Sequence, residues 1–525
     1  MVSRSIGERL TTFEAGLSER RRDLIALASG FVFAADAPPI NFTAGILLGL
    51  GLLAFSRPNA KRGFYFGLAA NLEALRFVPD VIARFTTLHW TLGILALVLL
   101  AAGQAVPWTL GMLLTRRLRD RQGIPAPLAF AIGIYAGTLI PAIFPWTPAG
   151  GLSPWPILIQ ASDAIGERGV SMMCALAMAL LVTFQRRQMA VAAATFVVLL
   201  GYGGIRMHTI DAARESAPHA KVALVMPDFD PLERSKPGGL GATGMLDRLW
   251  DLTREAETED AYLTVWPESA YPYALKHGIS RSPRGEGRML QNGVHGPVLT
   301  GAYLSKTEYM GTNSAIMIYA DGSIPPSYDK RHLLWFGETV PLADQIPVLR
   351  EIFARGLGLD AGTTSVPLKV GIINSSVLNC YEDTLPIAGR EAMEPRPNLL
   401  INVTNDAWFA GTQESELHLR TAVPRAIETR RDMVRAVNRG PTTWVDANGR
   451  IVARLDPAKG PAYLMTNPAL LEAPLTLYSR AGELPMFLLS VAIVAALVLR
   501  QRQRSMAEKV RPQVTGSNEE PEATK

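Results

Sequence analysis

The sequence predicts a chain of two physical regimes: an all-α membrane domain of about eight transmembrane helices and a large α/β domain outside the cytoplasm. Three observations predict it. Apolar residues crowd 24–205 and 484–499, whereas the roughly 280 residues between them read as an ordinary globular mixture. Arginines gather in short clusters beside the apolar runs, where cytoplasmic loops of membrane proteins carry them. Inside the mixed stretch, apolar runs of strand length alternate with amphipathic helical stretches, an α/β pattern. The composition agrees, since 525 residues at 48% hydrophobic and 19% charged are too long for one ordinary domain and too apolar for a typical soluble one.

The membrane elements follow from parity. The basic clusters are Arg20 with Arg21 and Arg22, Arg57 with Lys61 and Arg62, the arginines of 116–121, Arg186 with Arg187, and the arginines of 500–504. The positive-inside rule puts all five in the cytoplasm, so each interval between them needs an even number of crossings. The expected crossings are 24–37 and 42–55, 63–80 and 88–114, 126–144 and 170–184, and 189–205 and 484–499. Several fall short of the roughly 20 apolar residues that span a bilayer, and 63–80 carries Asn71, Glu73 and Arg76. The resulting plan is a cytoplasmic segment at 1–23, seven helices in 24–205, an extracytoplasmic domain at 206–483, a last helix at 484–499, and a disordered cytoplasmic tail at 500–525. No cleavable signal peptide is expected, because no short apolar core with a small-residue cleavage site follows the basic start.

In the outer domain, strands are expected at 222–226, 261–265, 298–303, 314–319, 370–378 and 399–403. Asp446-Ala447-Asn448-Gly449, between 442–445 and 451–455, reads as a hairpin turn. The net charge of +5 comes from the topology clusters, so it implies no nucleic-acid partner. Two cysteines, no His-Glu-x-x-His word and no Gly-rich phosphate loop imply neither disulfide framework, metal nor nucleotide; no cofactor is expected.

Three reactive side chains stand at strand ends or in the loops that follow. They are Glu268 in Val265-Trp266-Pro267-Glu268-Ser269-Ala270, Lys330 in Tyr328-Asp329-Lys330-Arg331-His332-Leu333, and Cys380 in Leu378-Asn379-Cys380-Tyr381-Glu382. Ends of strands are where α/β proteins build sites. Cys174 lies inside an apolar run, which leaves Cys380 without a disulfide partner; on spacing alone it is either a buried small hydrophobe or a nucleophile.

Glu268, Lys330 and Cys380 occur in the order and with the flanking words of the carbon-nitrogen hydrolase (nitrilase) superfamily. Trp266-Pro267-Glu268-Ser269-Ala270-Tyr271-Pro272, Phe336-Gly337-Glu338, Cys380-Tyr381-Glu382, Asn402-Val403-Thr404-Asn405-Asp406-Ala407-Trp408-Phe409, and Arg425-Ala426-Ile427-Glu428 with Arg435 and Asn438 resemble its apolipoprotein N-acyltransferase branch. The membrane plan resembles that branch too, including Phe144-Pro145-Trp146.

This resemblance implies an αββα nitrilase-like sandwich on the outer side of the cell inner membrane. It implies acyl transfer from a phospholipid donor, through a Cys380 thioester, to the N-terminal amine of a diacylglyceryl-cysteine lipoprotein. Glu268 is then the general base and later the acid. Lys330, with the Tyr381 backbone N–H, would stabilise the oxyanion, and Glu338 would be a required second carboxylate. Tyr381 and Glu382 match positions used around the nucleophile to shape the pocket.

Plainer readings exist for each residue: a surface carboxylate at Glu268, a solvated charge at Lys330, a helix cap at Glu338. His332 is expected to be structural, Trp335 and Trp408-Phe409 core aromatics, and Asn405-Asp406 a turn that satisfies backbone groups. The chain departs from the branch in four places. It lacks the glutamine that ends the first strand and the tryptophan in the loop after it, having Met226-Pro227-Asp228-Phe229-Asp230 instead; Trp335 replaces a proline, and Thr339 a tyrosine. These bear on which acyl donor or acceptor fits. Two rivals remain: a membrane-tethered amidase using water, and an inactive homologue that binds lipids or lipoproteins.

Overall fold

The computed structural model describes residues 16–85, 89–231, 239–335, 337–340, 345–346 and 358–510. Its helical part comprises α1 (Glu19–Ala34), α2 (Ala44–Phe55), α3 (Ala60–Ala74), α4 (Val78–Phe85), α5 (Trp90–Gln104), α6 (Val106–Gln122), α7 (Ala126–Thr138), α8 (Ser162–Leu181) and α9 (Arg186–Ser216). Polar caps start some of them: the Asn59 side chain accepts the Arg62 N–H at 3.1 Å and opens α3. Close packing depends on small residues. A Cβ added at Gly111 of α6 would collide with the Gly133 carbonyl of α7, so those two helices touch backbone to backbone.

Among the described residues, four helices are long and apolar enough to cross a membrane: Trp90–Gln122, Ser162–Leu181, Arg186–Ser216 and Leu484–Arg504. Helices α2 and α7 are apolar but shorter. A helix stands at each of the eight expected places, and four of them have the length a crossing requires.

Among the described residues the α/β part has thirteen strands: β1 (Val222–Met226), β2 (Leu263–Val265), β3 (Leu275–Lys276), β4 (Val298–Ser305), β5 (Gly311–Ile318), β6 (Tyr328–Asp329), β7 (Leu368–Val370), β8 (Ile373–Asn379), β9 (Leu399–Asn405), β10 (Met433–Asn438), β11 (Thr442–Val445), β12 (Ile451–Leu455) and β13 (Ala462–Thr466). They form two sheets, ordered β13-β1-β2-β4-β5-β6 with β3 beside β4, and β12-β11-β10-β9-β8-β7. Val222, Leu224, Val265, Leu299 and Met317 of the first face Val377, Leu399, Ile401, Val403 and Val434 of the second in one core. Helix α10 (Gly241–Thr258) covers the first sheet, and α11 (Pro386–Glu391) with α12 (Glu414–Thr429) the second. The architecture is therefore the αββα sandwich. A short helix, α13 (Leu477–Ala481), leads into α14 (Leu484–Val510).

The run expected over 370–378 is a hairpin, β7 antiparallel to β8, because Gly371 turns the chain at φ +50°. Strands β10 and β13 were not anticipated. The hairpin at 446–449 joins β11 to β12.

Two helices extend beyond the expected crossings for one reason. Helix α8 starts at Ser162 and not at 170, since its polar first turns pair with the α/β part: Asp163 with Arg430 at 2.8 Å and Glu167 with Arg425 at 3.1 Å. Helix α9 runs past 205 to Ser216, placing Asp211 2.7 Å from Arg450 and Arg214 2.9 Å from Asp432. Charged turns that end an apolar run in sequence are docking surfaces in the fold. Residues 500–510, expected in the tail, continue α14; 511–525 lie outside the described residues.

Candidate active site

The parallel strands β1, β2, β8, β9 and β10 all deliver their C-terminal ends to one side of the sandwich. Glu268 follows β2, Cys380 follows β8, Asn405 ends β9, and Lys330 follows the short β6. Cys380 has φ +52° and starts the 3-10 turn Cys380–Thr384, a left-handed residue at a strand-to-turn junction that presents its side chain. Ser269, after Glu268, also has φ +52°. A Cβ at Gly301 of β4 would lie 2.5 Å from the Glu268 Cα, so glycine there lets the Glu268 turn lie directly on the sheet.

The structure brings Glu268, Lys330, Glu338 and Cys380 together. Lys330 Nζ lies 2.7 Å from Glu338 Oε2 and 3.6 Å from Glu268 Oε1, with the lysine 1% exposed. Asn313 Nδ2 donates to both carboxylates, at 2.7 Å to Glu268 and 2.9 Å to Glu338. Asn379 Nδ2 donates to Asn313 Oδ1 at 3.1 Å, fixing that amide's orientation. The Asn405 N–H donates to Glu268 Oε2 at 2.9 Å, and the Leu334 N–H to Glu338 Oε2 at 2.9 Å. Cys380 is partly exposed.

These surroundings push the two carboxyls apart. Burial raises Glu268 above the ordinary range, aided by the charge of Glu338 and opposed by Lys330. Burial also acts on Glu338, but Lys330, the Leu334 N–H and Asn313 override it and hold that carboxyl below the ordinary range. Burial opposes the charge on Lys330, yet Glu338 and Glu268 hold it well above its usual value, so it stays an ammonium. Burial and Glu268 push the Cys380 thiol up, against Lys330. Cys380 therefore rests as a thiol, which could attack only with a base to take its proton, and of the two carboxyls the raised Glu268 suits that chemistry.

Glu382 is fully buried and braces the site from behind. It accepts the Tyr328 hydroxyl at 2.8 Å, the Arg331 and His332 N–H groups at 2.8 and 3.0 Å, and the Asn379 N–H at 2.7 Å. It thereby ties the lysine loop to the cysteine turn and does not face the cavity. Tyr381 does face it. That cavity, about 590 Å³, is lined by Phe33, Trp108 and Ile134 of the helical part and by Tyr381, Trp335 and Leu385 of the sandwich.

His332 pairs with Glu391 at 2.7 Å, the structural place expected of it. Trp335 and Trp408 are 49% and 40% exposed, which corrects their reading as core; Phe409 is packed on Phe77 with centroids 5.3 Å apart. Phe336 lies outside the described residues. Sequence reading missed Asn313 and His418. The available signals were weak, since Asn313 lies between Thr312 and Ser314 in β5 and His418 shares its face of α12 with Glu414, Ser415 and Thr421. Among the described residues, no three His, Cys, Asp or Glu side chains are grouped to hold a metal.

A two-sheet sandwich with carboxylates, lysine and cysteine at its strand ends is the arrangement of a carbon-nitrogen hydrolase, and residues 240–465 match that family model. Residues 29–180 match the model of the apolipoprotein N-acyltransferase N-terminal domain. An apolipoprotein N-acyltransferase of Geobacter metallireducens is 30% identical over 511 residues, covering 92% of this chain and 96% of the relative. One of Brucella suis is 30% identical over 488 residues, covering 84% and 88%. The chain belongs to the apolipoprotein N-acyltransferase family.

Proposed function

We propose that this enzyme moves a fatty acyl chain from a membrane phospholipid to the N-terminal amine of a diacylglyceryl-cysteine lipoprotein, with Cys380 as nucleophile. The observation that carries this reading is the shared cavity: its walls come from membrane-type helices, and Tyr381, next to Cys380, stands at its edge. A soluble amide would need no such walls.

Cys380 Sγ attacks the ester carbonyl carbon while Glu268 takes the thiol proton. Lys330 and the Tyr381 N–H stabilise the oxyanion, and Glu338 keeps Lys330 charged and in place. Collapse breaks the ester C–O bond; Glu268 returns the proton to the departing lysophospholipid alkoxide, leaving a thioester. The lipoprotein amine then attacks, losing its proton to Glu268, which passes it to the departing Cys380 sulfur.

The same reading puts eight crossings in the cell inner membrane, residues 206–483 outside the cytoplasm, and both termini inside. Five arginine clusters and the parity they impose support it. The test is intact-mass detection of an acyl adduct on Cys380 after exposure to phospholipid vesicles. An adduct increased by one acyl chain is expected; an unmodified Cys380 overturns the reading.

A further inference from the structure

Beneath the nucleophile lies a buried set of charges that the reaction steps above do not use. His418, on α12 and 6% exposed, has Nε2 at 2.8 Å from Asp383 Oδ1 and Nδ1 at 3.1 Å from Asp406 Oδ1. Each ring nitrogen meets a carboxylate oxygen. A neutral imidazole has one N–H and satisfies one of them; only the doubly protonated ring satisfies both.

The two carboxylates belong to the two turns that build the site. Asp383 lies in the turn Cys380–Thr384, three residues after the cysteine, and Asp406 opens the turn Asp406–Phe409, directly after the Asn405 whose N–H holds Glu268. Arg435 of β10 also faces Asp383, with Nε at 2.9 Å. Glu414, one turn before His418 on α12, is the remaining titratable neighbour; burial and the charge of Asp406 push its carboxyl up to about 8. Two cations thus oppose two anions in a space closed to water. Burial opposes the imidazolium, but Asp383 and Asp406 hold His418 up at about 10. Asp406 is also one of the charges that push the Cys380 thiol up.

We infer that His418 is a positioning residue for acyl transfer: a buried imidazolium that ties the turn carrying Cys380 to the turn orienting Glu268 and offsets the Asp406 charge behind the thiol. The inference rests on Cys380 and Glu268 being nucleophile and base. A displaced base or nucleophile costs up to about 100-fold even when the change is remote from the chemistry.

The full-length enzyme in phospholipid vesicles tests it. With His418→Gln, formation of the Cys380 acyl adduct should slow by about 10- to 100-fold while KM for a diacylglyceryl-cysteine peptide stays within about twofold. The pH profile of Cys380 alkylation by iodoacetamide should move to higher pH, because Asp406 is then uncompensated. Adding Asp406→Asn to His418→Gln should move that profile back and recover part of the rate. Adduct formation at the wild-type rate in His418→Gln, or an unmoved alkylation profile, overturns the inference. So does a rise in KM that accounts for the whole loss. If the variants do not fold, 15N spectra of the histidine-labelled wild type decide. One of seven histidines should stay doubly protonated from about pH 6 to about pH 9, and its absence overturns the inference. A Cys380→Ala protein that still forms the adduct would instead sink the assignment of the nucleophile, which separates the two failures.

Discussion

Asn313 joins Glu268 and Glu338 through a single amide nitrogen, at 2.7 and 2.9 Å, so the two carboxylates that flank Lys330 are held apart by one donor. That donor also favours the ionised form of Glu268. Replacing Asn313 with alanine should therefore raise the Glu268 carboxyl further. The acid limb of the acylation pH profile then moves to higher pH, and the rate at neutral pH falls by about 10- to 100-fold. Single-turnover adduct formation across a pH series measures both; an unmoved limb would show that Asn313 does not set the base.

The roles of the core residues make a sharper prediction. Cys380→Ala should form no adduct. Glu268→Gln and Lys330→Met should each cost about three orders of magnitude, since proton transfer and oxyanion stabilisation are each worth about 10²- to 10⁴-fold. Glu338→Gln should cost less, because Glu268 still faces the lysine at 3.6 Å. Rates of N-acylated peptide formation give the ranking, and a near-normal Lys330→Met would remove the lysine from the mechanism.

The candidate base and nucleophile were legible because each follows a strand, β2 before Glu268 and β8 before Cys380. Strand β1 was legible as a continuous apolar run, and β9 as an apolar run interrupted by Asn402. Asn313 and His418 were not, because their importance lies in partners 45 and 35 residues away, Glu268 and Asp383, which no local pattern reports. Strand β13 lies at a sheet edge, half-exposed, with little periodic signal. Helix α9 runs past the crossing expected to end at 205 because Asp211 and Arg214, which look like the end of a membrane helix, are its contact with the sandwich.

Glu414 gives a pH prediction with a definite sign. Its carboxyl moves from 4.5 to about 8 on folding, mainly through burial, and its Oε2 has no hydrogen-bond partner among the described residues. A folded-state value above the unfolded one means stability that is complete below pH 4.5 and lost as pH rises through about 8. The slope is on the order of 1.4 kcal/mol per pH unit inside that window. Glu414→Gln should remove that slope. Thermal melts of both proteins should converge at low pH, and the variant should gain on the wild type toward pH 8; parallel curves would contradict the assignment.

The proposed topology rests on the arginine clusters and is open to direct labelling. A cysteine at the exposed Ser280, in a Cys380→Ser background, should react with an impermeant maleimide added to intact cells. One placed after Arg504 should not. The reverse pattern would invert the membrane plan.

The triad does not decide between transfer and hydrolysis, since a thioester is open to an amine or to water. The surroundings separate them. The sandwich is held at both flanks by helices, α9 before β1 and α14 after α13, and the apolar cavity reaches from α1, α6 and α7 to Tyr381. Tethering at both ends raises the effective concentration of lipid-borne substrates and disfavours soluble ones. An acyl chain occupying the cavity also excludes water from the thioester beside it. A ping-pong course is expected: phospholipid acylates Cys380 and releases lysophospholipid, and the lipopeptide amine clears the thioester faster than water does. Radiolabelled phospholipid in vesicles, with a saturating diacylglyceryl-cysteine peptide, should yield N-acylated peptide and little free fatty acid. Replacing Trp108 by a charged residue, inside the cavity and away from the triad, should depress acylation by phospholipid while sparing deacylation by the peptide. If free fatty acid dominates at saturating peptide, or small soluble amides are turned over while phospholipid is untouched, the enzyme is a hydrolase.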